Sequence, residues 1–266
     1  MAADRLDVIL EATRERVAAL RPRLRELERQ AEEAPDPRPF DRILAGREVG
    51  VIAEVKRRSP SSGAIREDLD PVEHARAYAQ GGAVAISVLT DERHFGGSLH
   101  DLARVASAVA VPVLRKDFIL DELQLYEARA AGASAILLIA RALTPPRLRA
   151  LSTAARAQRL GVLVEIHTEA ELALAVDAEP TALGVNSRDL ATFTVDLARA
   201  ERLVAQVPPD LPAVAESGIA ARADVERMAA AGADLVLVGT SVARMADPAA
   251  AVRALTGVLR YGRSGR

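Results

Sequence analysis

Residues 134–166 read SAILLIARALTPPRLRALSTAARAQRLGVLVEI. A short apolar run, Ser134–Ile139, gives way to a turn and a helical stretch over Pro145–Leu160, then to Gly161 and a second apolar run, Val162–Ile166. Neither run alternates apolar with polar, the pattern of a strand buried on both faces. Gly161 stands where a helix returning to a sheet takes its C-terminal cap. The same unit recurs on both sides. Further strand candidates are Val51–Val55, Ala83–Leu89, Val111–Arg115, Ala182–Val185, Ala213–Ala215 and Leu235–Val238. Helical stretches such as Asp121–Ala131 and Arg222–Ala231 separate them, and Gly81, Gly82, Gly132 and Gly232 precede the next strands. Eight such units predict the α/β class and a closed (β/α)8 TIM barrel; an open doubly wound sheet is the alternative.

Upstream of the repeat, residues 1–45 form a helical extension expected to pack on the barrel, so that 1–266 makes one domain. Leu6, Ile9, Leu10, Val17, Leu20, Leu24 and Leu27 recur at three- and four-residue steps and give a helix one apolar stripe. The stretch Pro35-Asp36-Pro37-Arg38-Pro39 then breaks it. A length of 266 residues suits one barrel.

Composition narrows the chemistry. Half the residues are apolar but only 3% are aromatic, so the core is built from Ala, Val, Leu and Ile. A net charge of -2 gives no global attraction to nucleic acid or to an anionic membrane, and an anionic ligand has to be held locally. The absence of cysteine removes disulfides, thiolate ligands and thiol nucleophiles together. No apolar run is long enough to span a bilayer. The expectation is a cytoplasmic protein, a monomer or else a weak homodimer, acting on a small molecule without metal or organic cofactor.

Of the 35 basic residues, two are lysines, Lys56 and Lys116. Arginine does not give up its proton in proteins, whereas lysine can. Two positions therefore point to a need for an amine rather than a mere charge. Active sites of this fold form at the C-terminal ends of the strands. Glu54 and Lys56 fall on one face at the end of the first strand, and Lys116 follows the third. Glu165, Asn186 and Glu216 end the fifth, sixth and seventh, and Asn186 is the only asparagine of the chain. Any one of these could be a structural ion pair in the barrel mouth; together they describe a site. Ser217-Gly218 after the seventh strand and Gly239-Thr240 after the eighth offer backbone N–H groups to a phosphate. The loop Arg57–Gly63, with Ser59, Pro60 and Ser61, is polar and basic and reads as a substrate cover. The histidines are scattered: His74 and His100 on helices, His94 in a loop, and His167 past Glu165 in a capping role. No metal-ligand or dinucleotide fingerprint is present.

The segments Ile52–Ser61, Ser87–Thr90 with Phe95–Ser98, Val113–Phe118, Leu163–Glu165, Gly184–Leu190 and Ala215–Ile219 resemble, in order and across the whole chain, the signatures of the indole-3-glycerol-phosphate synthases. The resemblance implies a lyase of tryptophan biosynthesis acting on an anthranilate joined through nitrogen to a phosphorylated deoxyribulose, with loss of carbon dioxide and water. It implies that Lys116 is the acid of ring closure, that Glu165 and Lys56 manage later protons, and that Glu54 is a base or an orienting carboxylate. Asn186, Arg188 and Glu216 would line the pocket. Phe95, Phe118, Leu137, Leu190 and Leu237 would hold the aromatic ring. Ser217, Gly218, Gly239, Thr240, Lys56 and the Ser59–Ser61 loop would hold the phosphate. Thr240 stands where many members carry Ser or Glu. The isomerase domain fused in some relatives does not follow the barrel, so one activity is expected. Two other readings use the same barrel: a Schiff-base aldolase on a sugar phosphate, and a sugar-phosphate binder without turnover.

Overall fold

The computed structural model describes residues 5–44, 46–60, 63–189, 192 and 194–263. Eight parallel strands close into a barrel: β1 (Gly50–Val55), β2 (Ala85–Leu89), β3 (Val113–Lys116), β4 (Ala135–Ile139), β5 (Gly161–Ile166), β6 (Ala182–Asn186), β7 (Ala213–Glu216) and β8 (Leu235–Val238). Each pairs with its neighbours in sequence, and β8 closes on β1 with Gly50 opposite Leu235. The helices are α1 (Arg5–Leu20), α2 (Leu24–Glu33), α3 (Pro71–Gln80), α4 (Glu92–Phe95), α5 (Leu99–Ala108) and α6 (Leu123–Ala130). After them come α7 (Pro145–Ala157), α8 (Leu172–Asp177), α9 (Leu197–Gln206), α10 (Arg222–Ala230), α11 (Thr240–Ala243) and α12 (Pro248–Arg253). Among the described residues no helix is long and apolar enough to cross a membrane.

Two apolar layers follow from strand alternation. Outward side chains such as Val51, Ile86, Ile136 and Val164 pack under the helices. Inward ones such as Ile52, Leu114, Leu137, Leu163 and Val214 fill the barrel itself. Leu6, Ile9 and Leu10 of α1 join that inner cluster, and Val17, Leu20 and Leu27 pack with Leu123. Each fully buried side chain of this size contributes roughly 2 kcal/mol.

Several boundaries differ from the sequence reading. Strands β3, β6 and β7 run on through Lys116, Asn186 and Glu216 rather than stopping before them. Ladder bonds are made by backbone, and Asn186 stays in register with Glu216 whatever the side chains carry. The helix expected to Leu160 ends at Ala157, and Arg159 turns left-handed at φ 61 to close the link to β5. The N-terminal stripe is two helices joined by a 3-10 turn, Arg21–Arg23, around Pro22. That tighter turn shifts the phase of α2 relative to α1, so Leu24 is exposed while Leu27 is buried.

Candidate active site

Cationic and anionic groups meet at the C-terminal rim. Lys56 donates to Glu54 Oε1 at 2.9 Å. Lys116 donates to Glu165 Oε2 at 3.0 Å and lies 3.2 Å from Glu216 Oε2. The three carboxylates are 2–3% exposed. The strands place them by register: Glu54 opposite Ser87, Glu165 opposite Ile139, and Glu216 between Asn186 and Leu237. Ser87 also turns its hydroxyl toward Glu54 Oε2 at 3.4 Å.

Small residues make the room. A Cβ on Gly184 would fall 2.2 Å from Glu216 Oε1, and one on Gly239 2.6 Å from Glu54 Oε1. Glycine at these two positions lets each carboxylate lie flat against a neighbouring strand or its end.

The protonation pattern follows from this crowding. Burial alone would strip the proton from Lys116, but the charges of Glu165, Glu216 and Glu54 outweigh it and hold the ammonium above its ordinary range. Burial pushes Glu54 up, and the nearby Lys56 and Lys116 more than reverse that. Glu165 is likewise penalised by burial yet held low by Lys116 first of all and by a bond from Asn186. Glu216 loses the contest. Burial drives it up, Lys116 only partly offsets that, and the Glu165 charge adds to it, leaving it at about 8. Its Oε1 has no hydrogen-bond partner, as suits a carboxyl that keeps its proton. Of the three carboxyls, Glu54 and Glu165 are then the anions, while Glu216 favours its protonated form at neutral pH.

These groups open onto a cleft of about 750 Å³, counted to its open mouth. Both lysines, the three carboxylates and Asn186 line it, as do Ser59, Pro60, Phe95, Phe118, Leu137, Arg188, Ser217 and Leu237. Phe95 and Phe118 stand 6.3 Å apart between ring centres and form an apolar wall with the leucines. Gly218, Gly239 and Thr240 are not part of the wall; Gly239 caps α11, which Thr240 begins, and Ser217 and Gly218 form a left-handed turn at φ 66 and 74. Ser61 and Leu190 lie outside the described residues.

The two arginines of the first loop tie it down. Arg57 donates to Gly96 O at 2.9 Å and to Asp101 at 2.6 Å, and Arg58 donates to the carbonyls of Glu92 and Arg93. Ser59 and Pro60 are thereby held over the cleft. Behind Lys116, Arg115 points the other way, to Gln124 O at 2.6 Å and Asp117 at 2.9 Å. Asp117 also accepts from Thr90 at 2.6 Å and from Arg16 of α1 at 2.8 Å.

Sequence reasoning missed Leu89, Asp91, Asp117 and Ile139, which also line the cleft. Leu89 and Ile139 were findable, since each ends an assigned strand. Asp91 was findable as the cap of a short helix, for it accepts from His94 N at 2.6 Å. His94 accordingly sits in α4 rather than in a loop. Arg16 left no local signal, because its partner is 101 residues away. The His167 ring caps nothing; its backbone N–H instead donates to Glu171 Oε2 at 2.7 Å. Among the described residues no group of three or more His, Asp or Glu is arranged to hold a metal ion.

The sequence profile of indole-3-glycerol phosphate synthase matches residues 6–255. The chain belongs to that family. An indole-3-glycerol phosphate synthase of Desulfosudis oleivorans is 47% identical over 251 residues, spanning 92% of this chain and 95% of its own. One from Dehalococcoides mccartyi is 49% identical over 80% of this chain and 83% of its own. One from Mycolicibacterium vanbaalenii is 46% identical over 93% and 92%. Among solved structures, 3-hexulose-6-phosphate synthase from Salmonella typhimurium superposes with a TM-score of 0.62 at 17% identity, covering 78% of this chain and 96% of that one. Thiamine phosphate pyrophosphorylase from Pyrococcus furiosus gives 0.60 at 18%, covering 78% and 93%. At those identities the likeness is one of fold.

Proposed function

We propose that this member of the indole-3-glycerol phosphate synthase family catalyses the reaction the family is named for, as a carbon–carbon lyase. The substrate is an anthranilate joined through nitrogen to an open-chain deoxyribulose phosphate. The ring carbon bearing the carboxylate attacks the sugar ketone, and the ketone oxygen takes a proton to become a hydroxyl. The bond to the carboxylate then breaks, carbon dioxide leaves, and its electron pair restores the aromatic ring. Finally the hydroxyl departs as water with a second proton, and a base removes the proton whose loss completes the indole.

The observation that supports this most is Lys116 lodged between Glu165 and Glu216, with the Glu54–Lys56 pair lining the same cleft. A lysine held charged offers its proton to an alkoxide as negative charge builds there, which is the acid that ring closure needs. Glu165 is anionic and can take the last proton; Lys56 can supply the one that leaves with water. Glu54 orients Lys56. Asn186 and Arg188 line the pocket near the sugar and carboxylate, and Phe95, Phe118, Leu137 and Leu237 offer the apolar slot that the aromatic ring requires. Phosphate binding falls to Ser217, Gly218, Gly239 and Thr240, with help from Lys56 and Ser59. A Schiff-base aldolase would need a neutral amine, which the carboxylates around Lys116 disfavour.

The test is to mix the protein with the anthranilate–deoxyribulose phosphate and follow indole fluorescence. A rise that persists with chelator present is the expected result. No rise, or a lysine adduct trapped by borohydride, would overturn the reading.

A further inference from the structure

The catalytic carboxylate on β5 has a neighbour that does not itself line the cleft. His167 lies two residues after Glu165, so strand alternation turns both side chains to the same side. The residue is 1% exposed. Nε2 stands 3.3 Å from Glu165 Oε1, the oxygen that Lys116 does not bond. Nδ1 stands 3.9 Å from Glu171 Oε2. Neither nitrogen meets the geometry of a hydrogen bond, although both are buried. The charged groups that face the ring are Glu165 on β5, Glu171 in the turn after it, Arg141 after β4 and Lys116 on β3. Burial dominates among these influences and keeps the ring neutral, so one nitrogen carries a proton and the other does not.

We propose that His167 is a positioning residue for Glu165: its Nε2–H faces Oε1, fixing the plane of the carboxylate so that Oε2 stays on Lys116. This rests on the reading that Glu165 takes the last proton, the one whose loss completes the indole. Lys116 and Asn186 also bond Glu165, and a further contact at Oε1 narrows the swing of the carboxylate about its last bond, a misplacement with which base catalysis falls steeply. With Lys116 on one oxygen and His167 on the other, Glu165 presents one orientation throughout turnover. The same N–H favours the anion, so His167 also helps to keep Glu165 ready to accept a proton.

His167→Ala and His167→Gln test this, because the Gln amide reaches the same oxygen. For His167→Ala, kcat is expected to drop about tenfold with KM within about twofold of wild type. The acidic limb of its kcat/KM profile should move to higher pH, as burial raises a Glu165 that has lost a donor. His167→Gln should restore most of kcat and return the limb. Equal losses in the two variants, or an unmoved limb with both near wild type, would overturn the proposal. A 15N spectrum of the wild-type protein, with His167 assigned by its absence from the Gln variant, decides independently of turnover and of whether the Ala variant folds. Nε2 protonated is the expected tautomer; Nδ1 protonated overturns it. Failure of wild type to produce any indole would instead strike the functional reading, leaving the tautomer to judge the contact.

Discussion

Both rims of this barrel carry buried charge, and they use it differently. At the C-terminal rim two lysines face three carboxylates; one carboxyl is forced to keep a proton and one of its oxygens lacks a partner. At the opposite rim Asp234, just before β8, accepts from Ala213 N at 2.9 Å and lies 3.1 Å from Arg263. Arg263 in turn donates to the carbonyls of Gly232, Leu211 and Pro208. There the fork of an arginine meets carbonyls and one carboxylate, an arrangement that serves the fold. The C-terminal rim holds more carboxylate than it can satisfy, around amines rather than guanidinium groups. Such a cluster costs stability, which accords with the proposed role of its groups in moving protons.

The contrast can be broken most sharply at Lys116. Lys116→Arg keeps the charge but removes the amine, and kcat/KM should fall by at least about 100-fold with little change in melting temperature. Near-normal turnover would mean that the lysine is there only for its charge, as at the other rim. Asp234→Ala is the mirror experiment. Urea unfolding should show a loss of about 3 kcal/mol, since the arginine is left buried without its carboxylate, while kcat/KM of the folded enzyme stays unchanged. Loss of activity at constant stability would reverse the assignment of the rims.

A subtler probe is pH. The Glu216 carboxyl titrates at about 8 in the folded protein, raised from 4.5 by its burial first of all. Its contribution to stability is therefore fully present below the unfolded value and is lost as pH climbs through the folded one. Glu216→Gln has no proton to lose, so its melting temperature should gain on wild type between about pH 5 and about pH 9. A constant difference across that range would show that Glu216 is ionised throughout. The smallest effect belongs to the outer surface. Glu11→Ala removes an exposed ion pair with Arg14 and should leave both activity and melting temperature unchanged within error.

Much of this architecture is legible in the order of residues. Apolar runs punctuated by glycine give the strand count, because a strand buried on both faces is apolar along most of its length. The scarcity of lysine singles out Lys56 and Lys116, and their places at strand ends put them on one rim. Less visible is how far each strand runs. Polarity marks where a buried run ends, whereas the ladder through Asn186 and Glu216 depends on backbone alone. Gly239 reads as a phosphate contact and Gly184 as part of a strand, yet both make space for carboxylates that come from other strands.

From its own sequence the chain determined the eight-fold repeat, the amines and the carboxylates, since periodicity and residue type are local properties. Tertiary structure alone decided which carboxylate keeps its proton, which arginines brace the first loop, and that Arg16 of the extension bonds Asp117 beside Lys116. Those outcomes depend on distances between residues far apart in the chain and on how much water burial removes around them. Neither quantity exists until the barrel closes.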